Sequence, residues 1–283
     1  MQKPDPASTP KPRGRPRIAA TEPEAVTVQA LDRAMLALSI LAEDKGPDAD
    51  TGMTLSDLAE RCGLPAATVY RALMTLQVHQ MVEVSEPGQI WHVGVGAFRI
   101  GAAFARRNAL VERGRPKMQA LQRISGETAV LARQDAGEIL VLAQAEPEAG
   151  IRASYPPGAR GEMHAMALGK VILAWSPETE ARRILAERGM AKATSLTITS
   201  ETSLMRDLAR TRERGYALDD QESADGLRSI AAPIFNADGE VLAALAIVGP
   251  AFRFGLSSVN KVVTELRDAA DQITLSTGGR LPA

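Results

Sequence analysis

The sequence predicts an α+β protein in two parts: a small helical N-terminal part that ends in a β-hairpin, and a larger C-terminal part built on a mostly antiparallel sheet. Three observations support this. Met53–Gln77 repeats apolar residues at helical spacing on both sides of a glycine. Two short strand patterns then flank Glu86-Pro87-Gly88. Beyond residue 110, strand and helix patterns are mixed, and no apolar run is long enough to span a membrane.

Met53–Gln77 contains signals for two short helices. Thr54 is placed to cap the first helix, with Asp57 three residues later. Gly63 is placed to end it, and Pro65 suits the first turn of the next, where a missing N–H costs nothing. Such a pair is typical of a helix-turn-helix, whose second helix enters the major groove of DNA. A helical subdomain without a nucleic-acid partner remains the alternative.

A further helix and the hairpin complete the N-terminal part. Val28–Glu43 is predicted to form a helix that closes the small core with apolar residues at helical spacing: Leu31, Met35, Leu38 and Ala42. Met81–Ser85 and Gln89–Val93 are predicted to form the two strands of a wing. Residues 27–95 are therefore predicted to form a winged helix-turn-helix domain.

The second helix of the pair is expected to carry the DNA contacts. Its outward-facing polar residues are Thr68, Tyr70, Arg71 and Thr75. Arg71 would either form two hydrogen bonds with guanine or contact a phosphate. Cys62 is the only cysteine and falls on the apolar face of the first helix, so we expect it to fill the core. A single cysteine excludes an intrachain disulfide and favours a cytoplasmic location.

Residues 1–26 are rich in proline and basic residues and are predicted to be a disordered basic tail. Within the tail, Lys11–Arg17 (KPRGRPR) resembles an AT-hook. Arg13 and Arg15 would lie in the narrow minor groove of A·T-rich DNA, where the negative potential is enhanced. A merely solubilising tail is the alternative. The net charge of −1 gives no indication of nucleic-acid binding, so the argument is local.

The C-terminal part begins after a predicted linker helix at residues 96–109. Residues 110–278 are predicted to form one domain with an antiparallel sheet at its centre. The predicted strands are Thr128–Gln134, Glu138–Ala145, one near Ile151–Tyr155, Tyr216–Asp220, Arg228–Phe235 and Val241–Val248. The predicted helices are Leu110–Ile124, Ala165–Trp175, Pro177–Arg188, Glu201–Arg214 and Val259–Ile273.

The residues that could support catalysis are scattered. His79, His92 and His164 are far apart in sequence, and no cluster has the spacing of metal ligands. Gly169-Lys170 does not belong to a phosphate-binding loop, because the glycine and hydroxyl residues that such a loop needs are absent. We expect His164 to cap or pack a helix. The sequence therefore predicts neither an enzyme nor a bound cofactor or metal.

Several stretches together resemble the IclR family of bacterial transcription regulators: VQALDRAMLALSILAE, TLSDLAERCGLPAATVYRALMTL, HAMALGKVILA, RERGYALDDQE and LRSIAAPIFNADGEVLAALAIVGP. The resemblance extends from about Val28 to Phe254. It implies a winged helix-turn-helix, a linker helix and a GAF-like effector domain. It also implies homodimers or dimers of dimers that bind double-stranded operator DNA and respond to small carboxylates.

The resemblance also implies an effector site. The backbone N–H groups of Ala167 and Leu168, at a helix N-terminus, would suit a carboxylate. The other positions carried over from the family are Asp219, Ser229, Ala246 and Val248. Family members often have serine at the last two positions, so a strongly polar ligand loses two hydrogen bonds here. A solvated strand end is the alternative interpretation of Asp219.

We therefore expect a regulator of metabolic genes that responds to a 2-oxo acid such as glyoxylate or pyruvate. An aromatic acid is the alternative effector, because Ala246 and Val248 are apolar. Two other functions stay open. One is an architectural binder of A·T-rich DNA that acts through the tail. The other is a metabolite-binding module with a vestigial helix-turn-helix, suggested by Ala66-Ala67 where the family often has lysine and serine.

Overall fold

A computed structural model of the chain describes residues 28–43, 52–87, 89–107, 109–148 and 152–282. Most of these residues form two compact units, residues 28–42 with 52–94, and residues 95 onwards. The predicted basic tail, with Arg13 and Arg15, lies outside the described residues. Among the helices that are described, none is both long and apolar enough to cross a membrane.

The first unit has the winged helix-turn-helix order. It contains α1 (Gln29–Leu41), α2 (Leu55–Cys62), α3 (Ala66–Val78) and the antiparallel pair β1 (Val82–Ser85) and β2 (Ile90–Val93). The Thr54 side chain accepts a hydrogen bond from the Asp57 backbone N–H at 3.2 Å. Gly63 ends α2 in the left-handed conformation, with φ of 62°. Both predicted helix boundaries are confirmed.

The predicted core face of α1 is wrong at three of its four positions. Leu31 and Met35 are 61% and 49% exposed. Ala42 follows the last residue of the helix and is exposed. The helix instead buries Ala34, Ala37, Leu38 and Ile40. The small alanines let α1 approach α3 closely, whereas helical spacing alone cannot choose between two apolar faces of one helix. Cys62 does pack against this core, and burial raises the pKa of its thiol.

The second unit begins with two helices, α4 (Val95–Arg107) and α5 (Ala109–Ser125). Its strands are β3 (Thr128–Asp135), β4 (Glu138–Ala145), β5 (Arg160–Gly161), β6 (Ala217–Asp220), β7 (Leu227–Phe235) and β8 (Val241–Pro250). Its remaining helices are α6 (Ala167–Trp175), α7 (Glu178–Arg188), α8 (Glu201–Arg214) and α9 (Leu256–Ser276).

These strands form one antiparallel sheet in the order β5-β4-β3-β8-β7-β6. One face of the sheet packs against α5 and α9, and the other packs against α6. The alternation of side chains along β3, β7 and β8 thus fills two separate cores. The predicted α+β class with a mostly antiparallel central sheet is confirmed.

The strand predicted near Ile151–Tyr155 is wrong. Residues 152–155 form no strand, and the edge strand is the short β5, which pairs with β4. Side chains satisfy the backbone before it: the Tyr155 N–H donates to Gln144 Oε1, and the Ala153 carbonyl accepts from Thr128 Oγ1, both at 2.7 Å. The predicted strand does not form, because these side-chain bonds replace the ladder.

Candidate functional sites

The outward face of α3 is the candidate DNA-contact surface. The helix starts at Ala66 after Pro65 and buries Val69, Leu73 and Leu76 in the core of the first unit. Its exposed residues are Ala66, Ala67, Tyr70, Arg71, Met74, Thr75 and Val78, while Thr68 is half-buried. Three of the four residues predicted to contact DNA are therefore fully on the outward face, and Thr68 is at its margin.

Arg71 and Thr75 differ in how free their polar groups are. Within the described part of the chain, the Arg71 guanidinium has no hydrogen bond or ion pair. The Thr75 hydroxyl donates to the Arg71 backbone carbonyl at 3.1 Å. Arg71 is therefore available to DNA with all its donors, whereas Thr75 already uses its one donor within the helix.

The predicted effector residues on the sheet lie in register with one another. Asp219 of β6 pairs with Ser229 of β7, which pairs with Val248 of β8. Val248 in turn pairs with Thr128 of β3, so four side chains form a row across four strands. Ala246 lies in the next row on the same face. Strands distant in sequence thus place both polar and apolar groups side by side beneath α6.

All six predicted effector residues are buried, with Ser229 the most exposed at 5%. Asp219 is only 1% exposed, so its interpretation as a solvated strand end is wrong. Asp219 accepts hydrogen bonds from the backbone N–H groups of Glu222 and Ser223 and from the hydroxyls of Ser223 and Ser229. These bonds fix the turn that follows β6 and orient the Ser229 hydroxyl towards the carboxylate.

The start of α6 is covered by the segment before it. A Cβ on Gly169 would lie 2.3 Å from the Met163 carbonyl oxygen, so only glycine allows this close approach. Among the described residues, no acceptor pairs with the backbone N–H groups of Ala167 and Leu168. The N-terminus of α6 therefore keeps unsatisfied donors in a buried position, as the helix-terminus prediction requires.

A buried lysine lies beside this site, and its role was not predicted from the sequence. Lys170 Nζ lies 2.6 Å from Glu222 Oε1 and 3.0 Å from Asp207 Oδ2, and the Lys170 side chain is 1% exposed. Glu222 Oε2 is buried without a hydrogen-bond partner among the described residues. The signal was a charged residue in an apolar helix, since every residue from Ala167 to Ala174 is buried.

Negative charge exceeds positive charge in this cluster. One lysine faces three carboxyl groups, those of Asp207, Asp219 and Glu222. Burial raises the pKa of Glu222, the charges of Asp219 and Asp207 raise it further, and Lys170 opposes the change. Burial likewise raises the pKa of Asp219 despite the hydrogen bonds that it accepts. The buried environment therefore favours the protonated forms of the Glu222 and Asp219 carboxyl groups.

We expect Glu222→Gln to flatten the pH dependence of stability. The folded protein binds the Glu222 proton more tightly than the unfolded chain, so the free energy of unfolding falls as pH rises above the ordinary pKa of 4.5. Glutamine removes this loss, so the stability of the variant relative to the wild type should rise as the pH increases above 4.5. Thermal unfolding at pH 4.5 and at neutral pH measures the change. Glu213→Gln, on the exposed side of α8, is the control, and equal slopes for all three proteins would contradict the expectation.

Two cavities in the described structure lie elsewhere. One of about 350 Å³ lies between α6, α7 and α8, and one of about 610 Å³ lies between α5 and the end of β4. None of the six predicted effector residues lines either cavity. The six residues are instead buried, none of them more than 5% exposed, so a ligand can reach them only if the structure around them moves.

His164 has the packing role that its position suggested. It is 1% exposed, and its Nε2 lies 3.0 Å from the Ala191 carbonyl oxygen. In the described ranges, no three His, Cys, Asp or Glu side chains come together in a way that could hold a metal ion.

Two family models match the chain. The one described as "Bacterial transcriptional regulator IclR C-terminal" matches residues 102–275, and the one described as "IclR helix-turn-helix domain" matches residues 30–86. Together they cover both compact units.

Curated relatives and a solved structure agree with the family models. The HTH-type transcriptional regulator BhcR of Paracoccus denitrificans is 37% identical over 273 residues, which is 96% of this chain and 95% of that protein. The transcriptional repressor IclR of Escherichia coli is 36% identical over 276 residues, with 96% and 98% covered. An IclR transcriptional regulator from Alicyclobacillus acidocaldarius aligns with a TM-score of 0.79 at 26% identity, over 89% of this chain and 100% of that one.

These relatives are transcription regulators rather than enzymes. Both halves of the chain match, in the same order and over nearly the full length of the relatives. The chain therefore belongs to the IclR family and is a DNA-binding transcription regulator with a C-terminal effector domain.

Proposed function

We propose that this regulator controls metabolic genes and that a small carboxylate alters its affinity for an operator. The observation that carries the proposal is the arrangement beneath α6. Unsatisfied N–H groups of Ala167 and Leu168 begin α6, which packs on the sheet face that carries the row with Ser229 and Asp219. A helix N-terminus favours an anion, and the neighbouring hydroxyl adds a polar contact for a second group on the ligand.

A 2-oxo acid such as glyoxylate or pyruvate is the effector class that we favour. Its carboxylate suits the N–H groups of α6, and its small size suits a face on which all six predicted residues are buried. An aromatic acid is the second candidate, because Ala246 and Val248 offer apolar surface and cannot hydrogen-bond a polar ligand. Entry of either acid requires the closed site to open, so binding would be coupled to a change of conformation.

Coupling to DNA would follow from linkage. An effector that prefers one dimer arrangement shifts the separation or angle of two recognition helices, and only differential affinity for the two arrangements can do so. We propose that the active species is a homodimer or a dimer of dimers in the cytoplasm. Support comes from α4, which leaves Val95, Phe98 and Phe104 more than half exposed along the helix. Such exposed apolar surface is typical of protein interfaces.

We further propose the domain limits 27–95 for DNA binding, 96–109 for the linker helix and 110–278 for the effector domain. Thr68, Tyr70, Arg71 and Thr75 would contact the operator from α3, supported by their position on or beside its outward face. Arg13 and Arg15 of the basic tail would add minor-groove contacts.

Fluorescence anisotropy on the DNA upstream of the protein's own gene and its neighbours tests the proposal. Titrations at fixed salt are run with and without glyoxylate, pyruvate and a set of aromatic acids. We expect sequence-selective binding that one of the acids changes. Binding no tighter than to random DNA, with no response to any acid, would favour a vestigial helix-turn-helix. Loss of most binding on deletion of residues 1–26 would favour the architectural alternative.

A further inference from the structure

The exposed face of α3 is unusually apolar for a helix that enters the major groove. Tyr70, Met74 and Val78 are 46%, 40% and 77% exposed. Ala66 and Ala67 are exposed at its start, and Arg71 is the one charged residue on this outward face. An exposed apolar surface does not stabilise the folded protein. The chemistry of this surface therefore indicates the kind of partner that it contacts.

We infer that α3 reads thymine methyl groups, and that each half-site has adjacent thymines facing Ala66 and Ala67. The inference rests on the proposed operator binding and names the base chemistry that this binding reads. The N-terminal residues of a recognition helix contact base edges. Ala66 and Ala67 are the first two residues of α3 and carry only methyl groups. In the major groove, an apolar side chain finds its counterpart in the C5-methyl of thymine.

The polar groups of the same face support this assignment. The Thr75 hydroxyl donates to the Arg71 carbonyl and so leaves its methyl group as the exposed apolar part. Thr68 is half-buried at the margin of the face. Direct hydrogen-bond readout then falls chiefly to Tyr70 and Arg71, which are too few to specify several base pairs. Apolar contacts must therefore supply much of the discrimination between thymine and cytosine.

Short side chains at the start of α3 also favour close contact. A lysine or glutamine at these positions would hold the helix backbone away from the bases, whereas alanine brings the backbone to the groove floor. The occupant that fits this surface is DNA, because α3 is the second helix of a helix-turn-helix in a DNA-binding regulator. A protein partner on the same apolar surface would show no dependence on thymine methyls.

Replacing thymine by deoxyuridine tests the inference, since the two bases differ only in the methyl group. The full-length protein first selects duplexes from a randomised library at fixed salt. Each thymine of the selected half-site is then replaced by deoxyuridine, and affinities are measured by fluorescence anisotropy. We expect two adjacent positions at which the replacement weakens binding by about fourfold each, the effect of one lost buried methyl.

The variant Ala66→Gly/Ala67→Gly removes the two side-chain methyls without adding a hydrogen-bonding group. It should bind thymine and deoxyuridine duplexes equally at those two positions. Arg71→Ala is the matched control: its overall affinity should fall, but its preference for thymine should remain. Circular dichroism checks the fold of each variant, and the wild-type comparison decides whether thymine methyl groups are read even if the glycine variant does not fold.

The outcomes distinguish failure of the thymine readout from failure of the proposed operator binding. Selected duplexes with no sensitivity to deoxyuridine at any position would overturn the thymine readout and leave operator binding intact. Failure to enrich any sequence would remove the proposed operator binding and the inference with it. Sensitivity that persists unchanged in the glycine variant would assign the methyl contacts to other residues and overturn the role of Ala66 and Ala67.

Discussion

Lys170→Met is expected to cost about 3–5 kcal/mol of the free energy of unfolding at neutral pH, the usual effect of removing one partner from a buried ion pair. The substitution keeps the volume and helix propensity of the side chain but leaves Glu222 and Asp207 without their cation. Glu222 Oε2 already lacks a partner among the described residues, so the remaining carboxylates cannot be satisfied locally. Unfolding in urea measures the loss.

Two further variants test whether the loss of stability comes from the buried charge cluster. Lys192→Met replaces an exposed lysine and should change stability by less than about 0.5 kcal/mol. The double variant Lys170→Met/Glu222→Gln should recover part of the loss, because it removes one of the buried negative charges together with the cation. A Lys170→Met protein as stable as the wild type would mean that the cluster is hydrated and contributes nothing.

Arg71→Ala is expected to weaken operator binding by about 1–3 kcal/mol, roughly 5- to 150-fold, while binding to random DNA weakens much less. Arg71 is exposed on α3, and no group in the described ranges competes for its guanidinium. Two hydrogen bonds to guanine would therefore be lost without compensation. Parallel titrations of operator and random duplexes at several salt concentrations measure the effect.

The salt dependence distinguishes the two possible roles of Arg71. A base contact leaves the slope of affinity against salt almost unchanged, whereas loss of a phosphate contact reduces it by about one. Equal weakening on operator and random DNA would therefore make Arg71 a phosphate contact. Arg210→Ala, on the exposed surface of α8, is the control and should leave both affinities unchanged.

Some of the first unit could be predicted from the sequence because the causes are local. A side-chain oxygen at Thr54 bonds the N–H three residues later, and Gly63 adopts a conformation that other residues avoid. These effects need no distant partner. The same is true of the turn at Asn236–Gly239, where Asn236 Oδ1 accepts from the Asp238 N–H at 3.0 Å.

Distant contacts decided what the sequence left open. Leu31 and Met35 have helical spacing but remain exposed, because α1 approaches α3 through its alanines. Residues 152–155 lie in a predicted strand, but the side chains of Gln144 and Thr128 take two of their backbone hydrogen bonds. Spacing describes one element, whereas the face that is buried depends on which neighbouring element packs against it.

The sequence by itself therefore determined the order and type of most elements and the family, because propensity, capping and turn chemistry act within a few residues. Only the tertiary structure decided the chemistry beneath α6. Lys170, Asp207 and Glu222 come from α6, α8 and the turn after β6, and their separation in sequence hides their contact. A buried charge is stable only beside an opposite charge, and the fold of the sheet and its helices supplies that neighbour.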